Sequence, residues 1–70
     1  MNYALLKYEL EVKKIGLNDL CMKLKLSRSA LYRKMTGRSD FTRTEIQIII
    51  NELHLDKDKT ESIFFSNKVS

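Results

Sequence analysis

No proline interrupts these 70 residues, and glycine does so only twice, at Gly16 and Gly37. Proline removes a backbone donor and breaks helices, and glycine weakens helices and strands alike. A chain nearly free of both reads as helix unless an alternating pattern argues for strand. That alternation is brief, at Glu9-Leu10-Glu11-Val12, and it sits inside a longer helical pattern. The length allows one domain. A domain this small buries only about 60% of the surface its unfolded chain exposes, so its side chains go into one core and leave no deep enzyme pocket.

The spacing predicts five short helices with tight connections, a compact all-α domain over residues 1–66 followed by a frayed tail at 67–70. The first helix spans 3–14, with Leu6 and Leu10 in one apolar row and Leu5, Tyr8 and Val12 in a second. Lys13 and Lys14 suit its C-terminus, and Gly16 supplies the turn or cap. The second helix starts at the cap residue Asn18 and runs through Leu20, Cys21 and Leu24. Ser27 caps a third helix over 27–36, whose apolar edge is Leu31 and Met35 and which Gly37 ends. A polar loop with Phe41 as its apolar anchor leads to Thr42-Arg43-Thr44-Glu45, the pattern of a capping box. Ile46, Ile49, Ile50 and Leu53 follow on one side of the fourth helix. Asp56 or Asp58 caps the fifth, which carries Ile63, Phe64 and Phe65.

Net charge is +4, and its distribution says more than its size. Residues 27–43 hold Arg28, Arg33, Lys34, Arg38 and Arg43 against Asp40 alone, a local charge of +4. The first 26 residues carry +2 and the last 27 carry −2, so they cancel. The cationic stretch coincides with a short helix, a tight turn and a second short helix, the outline of a helix-turn-helix over about 18–37. The major groove of B-DNA admits one helix, which needs long donors outward and apolar residues only on its back. The third helix divides in that way. Arg28, Ser29, Tyr32 and Arg33 are the candidate base contacts, each arginine able to grip a guanine through two hydrogen bonds. Asn18, Ser27, Lys34, Arg38, Ser39 and Arg43 are the candidate phosphate contacts. Tyr32 either meets a sugar or a thymine methyl or stands as an idle exposed ring, and Ser39 is either a phosphate contact or solvated loop.

The run LCMKLKLSRSALYRKMTG at 20–37 resembles the Cro- and lambda-repressor-like helix-turn-helix family. With FTRTEI at 41–46 and IFF at 63–65 it looks like the small regulators that temperate phages of Gram-positive bacteria use in the lysis–lysogeny decision. The resemblance implies a major-groove recognition helix over 27–36, operator DNA as ligand and two-fold dimers. The chain departs from the family pattern in three ways. The polar residue that grips a phosphate at the start of the first motif helix falls on Leu17, with Asn18 as its neighbouring substitute. Leu10 and Met35 stand where many members bury an Arg–Glu pair, and Cys21 takes the small-residue place between the motif helices.

Other chemistries have little to stand on. The lone Cys21 reads as core, His54 as a residue that caps helix carbonyls, and the acids Asp56, Asp58 and Glu61 as a favourable helix N-terminus. No nucleophile–base pair, phosphate-cradling glycine loop or metal-ligand spacing is present, so neither catalysis nor a cofactor or metal is expected. Neither a signal peptide nor a membrane span is expected, which fits a reducing bacterial cytoplasm. The apolar surplus of Ile48, Ile50, Phe64 and Phe65 points to a protein interface. One recognition helix buries only about 600–1,000 Å² on DNA, which also argues for a homodimer or a heterodimer with a phage repressor. Two functions follow: an operator-binding regulator, or an antirepressor that binds a partner repressor and blocks or alters its DNA binding. A plasmid-maintenance or toxin–antitoxin regulator of the same fold is a third.

Overall fold

Side-chain caps set where most of the helices begin. The computed structural model describes residues 2–65, which form α1 (Tyr3–Val12), α2 (Leu17–Leu24), α3 (Arg28–Met35), α4 (Arg43–Leu53) and α5 (Lys57–Phe64). The tail at 67–70 lies outside the described residues. Asn2, Ser27 and Asp56 each accept the backbone N–H three residues on, at 3.0, 3.1 and 2.8 Å. At α4 the capping box closes in both directions. The Glu45 N–H donates to Thr42 Oγ1 at 3.1 Å, and the Thr42 N–H donates to Glu45 Oε1 at 2.9 Å. Only α2 departs from expectation: it begins after Gly16, which offers no side-chain cap, and Asn18 lies inside its first turn.

Four helices end in the same way. A left-handed residue at Lys14, Lys25, Gly37 and His54 reverses the chain, with φ of 59, 58, 90 and 53°. The next residue, at 15, 26, 38 or 55, donates its N–H to the carbonyl five positions back, the bond that closes a Schellman turn. Gly16 is therefore not the end of α1, because Lys14 makes that reversal two residues earlier. After three of these turns the next residue is aliphatic. Ile15, Leu26 and Leu55 all pack on the core, as this motif favours. After α3 it is Arg38, which is exposed.

The core gathers Leu6 and Leu10 of α1, Leu20, Cys21 and Leu24 of α2, Leu31 and Met35 of α3, Ile49 and Leu53 of α4, and Leu55 and Ile63. Helix α1 packs on α5, and α2 packs on both α3 and α4. Leu10 and Met35 are both buried there. The expected second apolar row of α1 is not used as core, since Leu5 is half-buried while Tyr8 and Val12 are exposed. Its place is taken by Glu9, of which only 2% is exposed. Lys13 Nζ donates to Glu9 Oε1 at 2.8 Å and to the Leu53 carbonyl at 2.6 Å, while Lys59 Nζ pairs with Glu9 Oε2 at 3.3 Å. The Glu9–Lys13 pair thus joins α1 to α5 through the carboxylate and to the end of α4 through the ammonium. The Lys13 hydrogen bond holds the Glu9 carboxyl below its ordinary value, against burial, which alone would raise it. Lys13, rather than the side chain of His54, reaches the last carbonyl of α4.

Candidate nucleic-acid interface

Helix α3 has two faces because its apolar residues are four apart. Leu31 and Met35 are fully buried, and Arg28, Ser29, Tyr32 and Arg33 are all exposed on the other side. Three residues, 25–27, separate α3 from α2, and the two helices pack against each other. Ser27 spends one acceptor on the Ala30 N–H as the cap of α3. Its hydroxyl proton stays available to donate.

The two motif helices are also tied at their starts. Arg28 Nη1 donates to Asn18 Oδ1 at 2.7 Å, so the first turn of α3 orients the amide in the first turn of α2. With its oxygen so engaged, Asn18 presents two N–H donors, the geometry an anion requires. The Leu17 side chain, beside it, cannot donate.

Lys34 corrects the expected set. Its ammonium donates to Glu45 Oε1 at 2.9 Å and to the Asp40 carbonyl at 3.2 Å, with only 16% of its side chain exposed. Burial raises the Glu45 carboxyl, but hydrogen bonds from Lys34 and the Thr42 backbone outweigh it and hold the group below its ordinary value. Lys34 therefore braces α3 against the 38–42 loop and the start of α4, and it is not free to meet a phosphate. The same loop is fastened by Arg38 and Ser39, whose N–H groups both donate to the Arg33 carbonyl, at 2.9 and 3.2 Å. Phe41 anchors it from below, edge-on to Phe64 with ring centroids 5.9 Å apart. Arg38, Ser39 and Arg43 stay exposed on this braced segment.

The apolar surplus splits as adjacency on a helix requires. Phe64 packs on the core with Ile48 and Ile50, all half-buried, whereas 58% of Phe65 is exposed. Phe65 lies over a hollow shared with Arg43, Ile46, Gln47 and Ile50. The described residues contain no cluster of three His, Cys, Asp or Glu able to hold a metal, and none of the helices is long and apolar enough to cross a membrane. Glu9 and Lys13 as a buried pair are not among the expectations from the sequence, although their spacing of four on one helix is a visible signal. Comparison with known protein families, curated proteins and solved structures gives no match to this chain.

Proposed function

We propose that the chain is a transcriptional regulator of the Cro- and lambda-repressor-like kind, placing α3 in the major groove of an operator. The supporting observation is how the fold treats its cations. Among the described residues Lys13, Lys23, Lys34 and Lys59 sit in ion pairs, whereas Arg28, Arg33, Arg38 and Arg43 are exposed and face no carboxylate partner. Those four lysines brace the fold, whereas the four arginines, which present a planar fork of donors, are left exposed, three of them around one groove. Arg28 and Arg33 then read base edges, while Asn18, Ser27, Arg38, Ser39 and Arg43 hold the backbone. The molecule measures 33 × 24 × 20 Å, so two copies side by side suit half-sites one helical turn, about 34 Å, apart. Such a dimer occludes a promoter, and the setting that fits the resemblance is a phage lysis–lysogeny switch in the bacterial cytoplasm.

Fluorescence anisotropy against duplexes selected from a random pool tests this. Four phosphates held by Arg38 and Arg43 of two copies give a log–log salt slope of about −4, and additional contacts steepen it. Arg28→Ala and Arg33→Ala are each expected to lose about 1–3 kcal/mol of discrimination at one base pair. No binding to any duplex at low salt would refute the proposal.

Exposed Phe65 favours a second reading, in which the chain is an antirepressor. The ring stands between the Arg43–Ile50 hollow and the acidic Asp58 and Glu61, a surface suited to another protein. Co-purification at micromolar concentration with a repressor encoded next to it supports that reading, and failure to associate removes it.

A further inference from the structure

We infer that the groove between α1 and α3 seats the sugar–phosphate backbone of bound DNA, with Lys7 as a phosphate contact from α1. The inference rests on the DNA-binding reading above and adds a helix that the motif does not include. The groove encloses about 580 Å³. Its rim carries four cations from three parts of the chain: Lys7 on α1, Arg28 and Arg33 on α3, and Arg38 just beyond. No carboxylate lines it among the described residues; Glu11, one turn along from Lys7, lines an adjoining hollow that shares Lys7 and Leu17 with the groove. Leu17 and Leu31 contribute an apolar floor.

A cationic rim above an apolar floor matches a nucleotide backbone, whose deoxyribose is largely apolar and whose phosphodiester is anionic. Continuity settles the choice of occupant in favour of DNA over an acidic peptide, because Arg28 and Arg33 belong both to this rim and to the exposed face of α3. Arg38 enters the groove for a reason internal to the fold. It follows a left-handed residue at the position where Ile15, Leu26 and Leu55 turn into the core, and a guanidinium there must remain outside.

The test compares the salt dependence of duplex binding for the wild type, Lys7→Ala, Lys7→Arg and Lys57→Ala, the last a cation outside the groove. Lys7→Ala is expected to make the slope shallower by about 1 per protomer while leaving the preferred sequence unchanged. Lys7→Arg restores the slope, and Lys57→Ala leaves it as in the wild type. An unchanged slope in Lys7→Ala, with the wild type binding well, overturns the groove assignment alone. Failure of the wild type to bind any duplex overturns the DNA-binding reading with it. If Lys7→Ala weakens binding of polyglutamate but not of duplex, the groove belongs to an acidic protein partner and the inference falls.

Discussion

Replacing Glu9 by glutamine should remove a large part of the stability of this domain. The change keeps the shape of the side chain and deletes the one charge that faces both Lys13 and Lys59. The Lys13 contact is short and sheltered, with 28% of that lysine side chain exposed. A hydrogen bond to a charged group in such a setting contributes about 1.5–3 kcal/mol. The Lys59 side chain is 49% exposed and its contact longer, so it adds no more than about 1 kcal/mol. Together they give a loss of about 2–3 kcal/mol, against a total of about 3.5–10 kcal/mol for a chain of this length. For a domain of this size that corresponds to a fall in Tm of about 10–20 °C.

Thermal melts followed by far-ultraviolet circular dichroism, at neutral and at acid pH, measure the effect. The folded-state pKa of Glu9 is depressed from 4.5, so its contribution is complete above that value and is lost as pH falls through the folded pKa. The wild type should therefore lose stability below about pH 4.5, and Glu9→Gln should lose less over the same range. Glu45, depressed in the same direction, keeps part of the acid loss in the variant. A variant that melts within about 2 °C of the wild type at neutral pH, with an unchanged acid limb, would refute the reasoning.

Two further outcomes follow from the braces of the α3–α4 segment. Lys34→Ala should cost about 1–3 kcal/mol through loss of the Glu45 and Asp40 contacts, yet leave unchanged the salt slope of the duplex binding proposed above. A slope shallower by about 1 per protomer would instead return Lys34 to the phosphate contacts. Gly37→Ala meets no atom within 4 Å but must hold φ at 90°, so backbone strain alone should cost about 1 kcal/mol or more. Urea unfolding reads that cost as a lower midpoint at constant m, and an unmoved midpoint would contradict it.

Local signals were legible in the sequence and long-range ones were not. The Thr42–Glu45 box and the Ser27 cap involve residues three apart, so the pattern contains the whole interaction. The two faces of α3 were legible for the same reason, since helical periodicity alone separates Leu31 and Met35 from Arg28, Ser29 and Arg33. Burial of Glu9 was hidden because Lys59, one of its partners, lies fifty residues later, on a helix whose docking no local pattern encodes. Periodicity likewise could not say that α5 would leave Tyr8 and Val12 uncovered. Lys34 looked like its arginine neighbours because charge counts do not register Glu45, eleven residues away, closing on it. The spacing runs α1 on to Lys14 and gives the turn to Gly16, because glycine is the usual left-handed residue; here Lys14 itself adopts that conformation and the helix stops at Val12.

The division of labour among the cations gives the molecule a built-in chemical fingerprint. An amine-reactive reagent modifies lysine but not arginine, and it needs a free, accessible ammonium. Lys34 and Lys13, held by two acceptors each, should acylate last, after the more open Lys59 and Lys23. The order of acylation along the chain would thus report whether its five helices are docked, without reference to any ligand. The arginines would pass through the same reaction unmodified, whereas exposed Lys7 beside them would not.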